Sequence, residues 1–416
     1  MKANRKLYIK GKTYKIVDML GFKYRVYPSK KRLVRLNRQM WLAKEIYNDL
    51  LEKSKKHYKE TGNTFSQYDM NKYIKEIKSK KPEFSEIHSQ VLQNISKRVS
   101  DGYKSFFRRV KEKKKGKKVE VGFPRYKKFV YSLTYPQKGF NFKNQKYLYL
   151  SGIGNIPIIL HRPLKGNIKT CTIKVYRSGK WYIGFSNEIP KEDFKSNGKE
   201  EIGVDVGLKD FVTLSNGKKI EPPKFLRKSE KHLKLLQRRV SRKKKGGMNR
   251  KKAKIRLARI HEKVENQRND FLHKLSNEQV NSFSKIKIEK LNIQNMMRNH
   301  CLAKSIADAS WNKYIQMLHY KAWSAGCEVH KVDSRHTTQT CSVCGNRQYM
   351  PLSERTYICS FCGSIMDRDI NSAQNILKKS TVGLTGSHAC GDTTSTYSIK
   401  NKQVVSLKQE LYGVKT

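Results

Sequence analysis

CSVCGNRQYMPLSERTYICSFCGSIMDRDINSAQNIL, Cys341–Leu377, is the stretch on which the reading of this chain turns. Cys341 and Cys344 form one C-x-x-C pair, and Cys359 and Cys362 form a second after fourteen intervening residues. Two thiolates on each of two knuckles can surround a tetrahedral Zn²⁺, and in so short a module the metal takes the place of a hydrophobic core. The gap is one residue below the usual window for paired C-x-x-C motifs, which a loop absorbs. Two disulfides, or four unrelated thiols, are the weaker reading, because TYICSFCG reads as a short strand running into a second knuckle. Asp367 and Asp369 follow at once and open a predicted helix. The metal module therefore stands directly before a pair of carboxylates and positions them, as part of a site rather than as a free-standing finger.

At 416 residues the chain has room for two to four units. Lysine and arginine number 90 against 34 acidic residues, a formal charge of +56. A chain so basic needs a polyanion, and nucleic acid is the default partner. A membrane surface is the rival polyanion, but no stretch approaches the ~20 apolar residues of a span and MKANRKLYIKGKTYK lacks the apolar segment of a signal peptide. Eight cysteines, four in the paired pattern, fit a reducing cytoplasm. Cys171, Cys301, Cys327 and Cys390 read as ordinary small apolar or surface residues.

Residues 13–28 alternate, with Phe22, Tyr24 and Val26 on one face and Lys23 and Arg25 on the other, predicting a strand. Helices are expected from Lys30 to about Lys55, over Gln67–Lys78, and from about Phe84 through Val110. The third ends in RRVKEKKKGKK (108–118), followed by GFPRYKK (122–128). Arg108, Arg109, Lys113, Lys114, Lys115, Arg125 and Lys127 are read as phosphate contacts rather than a merely solvated face. YSLTY, KYLYL, IPIIL, IKTCTIKVY and WYIGFS, between Val130 and Ser186, read as strands. Strands on both sides of the helices imply a β-barrel with the helices inserted. Tyr126, Tyr131, Tyr135, Phe140, Phe142 and Tyr147 either stack bases or, for most of them, fill that barrel. Farther on, Phe225–Asn281 predicts a helical hairpin divided at Gly246-Gly247. Its tip carries Arg242, Lys243, Lys244, Lys245, Arg250, Lys251, Lys252 and Lys254, which are expected to contact nucleic acid. One helix is expected through Ile306, Trp311, Tyr314 and Ala322. The tail, 380–416, is expected to be loosely ordered.

Asp205 lies inside the apolar strand IGVDV, Glu289 inside IKIEKLNI, and Asp369 at a helix start. A strand Asp, a strand Glu and a helix-start Asp are the arrangement of a ribonuclease H-like fold. Brought together they repel unless cations sit between them, and two Mg²⁺ ions are the natural occupants. One ion activates a water and the other stabilises the leaving 3′ oxygen. Asp369 is favoured over Asp367, which is read as its neighbour or the helix N-cap.

The segments FFRRVKEKKKGKKVEVGFPRYKK, LHRPLKGNIKTCTIK, GVDVGLKDFVTLSNG, IEKLNI, LAKSIADASW, TCSVCG, CSFCG and DRDINSAQNIL, in this order, resemble the TnpB family of RNA-guided DNA endonucleases of insertion sequences, from which type V CRISPR nucleases arose. The resemblance runs from about residue 20 to 380. It implies an α+β multidomain protein: a wedge β-barrel (1–28 and 120–198) with an inserted helical recognition lobe (29–119), then a RuvC nuclease domain (199–335 and 367–379, its helical hairpin 223–281) interrupted by a zinc-binding target-strand-loading module (336–366). The family's catalytic acids fall on Asp205, Glu289 and Asp369, and its zinc ligands on Cys341, Cys344, Cys359 and Cys362. The implied cofactors are two Mg²⁺ and one structural Zn²⁺. The implied partners are a guide RNA from the transposon end and target double-stranded DNA, whose sequence is read by base pairing after recognition of a short adjacent motif. A miniature type V CRISPR effector, a transposase or accessory DNA-binding protein, and a repressor that binds without cutting are the competing readings.

Overall fold

The computed structural model describes residues 6–9, 12–15, 17–190, 194–351 and 353–379, with side chains from Met19 onward; the tail expected to be loosely ordered lies outside them. The chain forms two compact units, one ending at Lys191 and the other beginning at Glu192.

In the first unit β1 (Lys6–Ile9) and β2 (Lys12–Lys15) pair as a short antiparallel ribbon, and β3 (Val17–Val26) follows. Phe22, Tyr24 and Val26 face the core and Lys23 faces out, as the alternation requires. Ser29 caps α1 (Lys30–Thr61) by accepting from the Arg32 amide, and Gly62 ends it in the left-handed conformation. The helix runs past the expected Lys55 because Tyr58 is held at its far end by the rings of Phe107 and Phe123. Next come α2 (Gln67–Lys80), opened by a Ser66–Asp69 capping box, and α3 (Ser89–Lys114).

The remaining strands are β4 (Ser132–Pro136), β5 (Phe140–Lys143), β6 (Tyr147–Leu150), β7 (Gly154–Ile159), β8 (Asn167–Val175) and β9 (Trp181–Pro190). They join β3 in a seven-stranded antiparallel sheet of order β4-β8-β9-β3-β7-β6-β5. This sheet curls into a nearly closed barrel. Residues from both end strands, Tyr135 of β4 and the half-buried Phe142 of β5, pack into one core with Leu36, Ile46 and Leu50 of α1. The three helices thus span the connection from β3 to β4. β5 was not among the expected strands; its inward Phe140 and Phe142 are only half-buried, whereas the equally short β6 buries Leu148 and Leu150.

The second unit opens with β10 (Glu201–Asp205), β11 (Val212–Leu214) and β12 (Lys219–Ile220), then the hairpin of α4 (Phe225–Ser241) and α5 (Met248–Ser282). β13 (Lys285–Glu289), α6 (Ile293–Met296), α7 (His300–Ala309), α8 (Trp311–Ala322) and β14 (Glu328–Val332) follow. The single helix expected through Ile306 and Ala322 is two, broken where Ser310 turns left-handed at φ 57°. A five-stranded sheet forms in the order β12-β11-β10-β13-β14, with β10, β13 and β14 parallel and the first hairpin antiparallel. The short β15 (Thr356–Ile358) and β16 (Ile365–Asp367) pair before α9 (Arg368–Lys378). Among the described residues, no helix is long and apolar enough to cross a membrane.

Candidate active site

Asp205 ends β10 and Glu289 ends β13. The parallel register pairs Val204 with Ile288, so the next step sets the two carboxyl-bearing residues side by side on one face. Gly203, two residues before Asp205 and so on the same face, lets α9 come down on the sheet. A Cβ there would lie 2.0 Å from the Ala373 carbonyl oxygen and 2.8 Å from the Leu377 amide. Asp369 is one helical turn before Ala373, which carries it to the Asp205 end of the strand. The electrostatics agree with the placement. Burial first, then the charges of Glu289 and Asp369, raise Asp205 well above the ordinary carboxylate range. Burial likewise raises Glu289, against the pull of Thr337 and Lys379.

Glu289 and Asp369 also have side-chain partners that the sequence did not announce, and Asp367 is the helix cap expected of it. The Thr337 hydroxyl donates to Glu289 Oε1 at 2.5 Å. Arg368, only 7% exposed, donates to Asp369 Oδ1 from Nε at 3.2 Å and Nη2 at 3.1 Å, while its Nη1 donates to the Glu354 carbonyl. Arg355 approaches the other oxygen of Asp369 at 3.5 Å. Asp367 is the N-cap of α9, accepting from the amides of Asp369 and Ile370, and pairs with Lys219 at 2.7 Å. Those bonds outweigh burial and hold its carboxyl below its ordinary value.

The four cysteines converge. Cys341 and Cys362 sulfurs lie 3.8 Å apart, Cys344 and Cys359 sulfurs 3.5 Å, and all four fall within 4.8 Å of one another. Disulfide sulfurs would stand about 2 Å apart. Two sulfurs each ~2.3 Å from a common tetrahedral zinc would stand roughly 3.8 Å apart, so a soft thiolate-binding ion fits this donor set. Cys341, Met350, Tyr357 and Cys359 form a small core of their own. Among the described residues this is the one group of three or more such side chains at metal-closing distance; the three carboxylates do not close to that spacing.

The polar face of α9 ties this cluster to the acids. Asn371 donates to the Thr340 carbonyl and accepts from the Ser342 amide, and Asn375 donates to the carbonyls of Thr337 and Thr340. Asn371, Ser372 and Asn375 are buried. Amides at i and i+4, on the side of the helix opposite Ala373, were the signal available in DRDINSAQNIL.

Of the expected nucleic-acid contacts, Arg108, Lys113, Lys114, Lys115 and Arg125 are exposed, as are Arg242, Lys243, Lys244, Lys245, Lys251 and Lys252; Arg250 is half-buried. Arg109 is half-buried and donates to the Gly122 carbonyl. Lys127 is unlike the rest. Its ammonium sits 3.9 Å over the Tyr47 ring, its backbone is clasped by Asn48, and burial pulls it down to about 8. The hairpin tip also lines a cleft of about 470 Å³ to which Arg239 and Arg256, absent from the expected set, contribute.

Fold and site together define a class: strongly basic two-unit proteins in which a four-thiol module adjoins a sheet-borne acid cluster. Residues 185–300 match a family model described as "Probable transposase", and residues 311–376 one described as "Cas12f1-like, TNB domain". A model described as "Helix-turn-helix domain" matches 19–63, which here are β3 and the single long helix α1. Over 390 residues the chain is 33% identical to a protein of Streptomyces pristinaespiralis provisionally named an RNA-guided DNA endonuclease, covering 89% of this chain and 91% of that one. It is 28% identical over 393 residues to InsQ of Escherichia coli strain K12, provisionally named likewise, covering 89% and 94%. The chain belongs to the TnpB family. In fold it resembles Cas12f1 from a solved Cas12f1-sgRNA-target DNA complex, with a TM-score of 0.53 at 14% identity over 86% of this chain and 98% of that one.

Proposed function

We propose that this protein is an RNA-guided DNA endonuclease that hydrolyses phosphodiesters at Asp205, Glu289 and Asp369. The observation that carries the reading is the approach of α9 onto Gly203, which sets a third carboxylate over two others at neighbouring strand ends. Three neighbouring acids with only oxygen to offer, Asp205 raised by burial and by the charges of the other two, suit a hard divalent cation. The antiparallel-then-parallel strand order supports a ribonuclease H-like, RuvC-type domain. Asp205, Glu289 and Asp369 would hold two Mg²⁺, which when bound supply a water of lowered pKa and charge stabilisation at phosphorus. The chain's own side chains fix the oxygens: Thr337 orients Glu289, and Arg368 and Arg355 orient Asp369.

Cys341, Cys344, Cys359 and Cys362 would hold one structural Zn²⁺ in a module inserted at 336–366. The basic hairpin and the 108–125 segment would contact the guide RNA and target duplex. The relatives' names and the charge of +56 favour these partners. The matched description "Probable transposase" favours one alternative, strand transfer at transposon ends without a guide. The deciding experiment purifies the protein with its copurifying RNA, sequences that RNA, and offers a matching and a scrambled duplex in Mg²⁺. Cutting of the matching duplex alone supports the proposal. RNA-independent joining of transposon ends would support the alternative.

A further inference from the structure

On the outer face of the barrel, at the start of α1, lies a cleft of about 380 Å³ lined by Arg32, Arg35, Lys143, Tyr149, Asn155 and the chain at 152–154. The lining carries three cations and no carboxylate, so its field selects an anion. It is also built to a shape. Arg32 Nη1 donates to the Ile153 carbonyl at 2.9 Å and Arg35 Nη1 reaches the same oxygen at 3.5 Å, so both guanidiniums converge on one loop. Gly154, at φ 96°, lets the Arg32 guanidinium lie against the chain; a Cβ would meet its central carbon at 2.6 Å. The bond to Ile153 engages one nitrogen of the Arg32 fork, and the remaining donors match the paired oxygens of a phosphate.

Tyr149 and Asn155 face each other across β6 and β7, on the side opposite the buried Leu148, Leu150 and Ile156. Tyr149 is 40% exposed, and the Asn155 side-chain oxygen is buried without a hydrogen-bond partner. An aromatic face, an unmet amide acceptor and a fork of arginines are the three groups that take a base, its polar edge and its phosphate. A double helix would touch such a cleft only with its backbone ridge, whereas an unpaired nucleotide enters it.

We propose that this cleft seats one unpaired nucleotide, its phosphate on Arg32 and Arg35 and its base against Tyr149. The inference rests on the nucleic-acid reading above but concerns a site none of the expected contacts includes. The test uses the full chain and twelve-residue oligomers, U in RNA or dT in DNA, each carrying one 5-iodouracil. After irradiation, crosslinked peptides are mapped by mass spectrometry, and affinity is measured by fluorescence anisotropy in parallel. An adduct on Tyr149 is expected, retained in Tyr149→Phe, with affinity about tenfold weaker in Tyr149→Ala and crosslinking about tenfold lower in Arg35→Ala. Arg35 is exposed, so its variant is expected to fold, and an unchanged thermal melt checks that. Adducts with RNA alone assign the cleft to the guide, and adducts with DNA alone assign it to a displaced target strand. Tight binding with adducts mapping elsewhere overturns the cleft while leaving the endonuclease reading intact. Binding of neither oligomer overturns both.

Discussion

The second unit holds two clusters of negative side chains, and they are settled differently. The four cysteine sulfurs stand at the spacing a single ion would set, around a core of four residues. The three carboxylates share an electrostatic neighbourhood without closing, each steered by a different group: Thr337 on Glu289, Arg368 and Arg355 on Asp369, burial and the other two acids on Asp205. A closed set of thiolates suits a structural ion, while an open set of oxygens leaves room for substrate and water. The two are coupled through α9, whose Asn371 and Asn375 hold the first knuckle while its first turn presents Asp369.

If the acid cluster is catalytic, removing one acid has the largest effect of any single change. Asp205→Ala and Glu289→Gln are each expected to lower single-turnover cleavage more than about a thousandfold, well beyond the 10- to 100-fold typical of outer-shell partners. Guide and target binding, read by gel shift, should stay within about twofold. Cleavage surviving either change would break the comparison at its root. Next in size is Cys359→Ser. Structural zinc binding is worth on the order of 10 kcal/mol to such a module, so zinc per chain by elemental analysis should fall from one toward zero. Soluble yield and cleavage should fall with it. Retention of one full zinc equivalent would mean that the thiols are not its ligands.

Gly203→Ala sharpens the contrast, because it touches neither cluster directly. Its Cβ would require α9 to move away from β10, as the Ala373 carbonyl lies 2.0 Å from the new atom. We expect a loss of about 3 kcal/mol in stability, read by denaturant titration. We also expect cleavage to fall further than binding, since Asp369 shifts with the helix. A variant as stable and as active as the parent would show that helix contact is not what assembles the acids.

The candidate acids and thiols stand out in the sequence, and the reason is local. An Asp within IGVDV or a Glu within IKIEK stands out against buried apolar neighbours, and C-x-x-C spacing is short-range. What escaped notice was long-range. Thr337 reaches Glu289 from 48 positions away, and nothing in SRHTTQT marks that hydroxyl. Arg368 reads as one more base in a chain holding 90, yet it is buried against Asp369. The break at Ser310 was hidden because Ile306, Trp311 and Tyr314 are buried on both sides of it, as they would be on one continuous helix. In the barrel, β3 declared itself by alternation, whereas β5 offered only two half-buried aromatics.

The smallest predicted effect separates the clusters by titration. Asp205 and Glu289 have folded-state pKa values raised above those of an unfolded carboxylate. Well below the ordinary carboxylate range, both folded and unfolded states hold these protons and no difference arises. As pH rises through that range, the unfolded chain ionises first while the folded one keeps its protons, so each further step favours unfolding. Stability therefore falls until the raised pKa values are passed and then levels. In Mg²⁺-free buffer the melting temperature should decline by a few degrees across this window, and Asp205→Asn should flatten the decline. Added Mg²⁺ binds the ionised form, so its stabilisation should grow with pH. Thiolates already committed to zinc do not exchange protons over the same range, so the four-cysteine cluster should contribute no slope. An equal decline in Asp205→Asn would assign the slope to groups outside the acid cluster and leave the two clusters electrostatically indistinguishable.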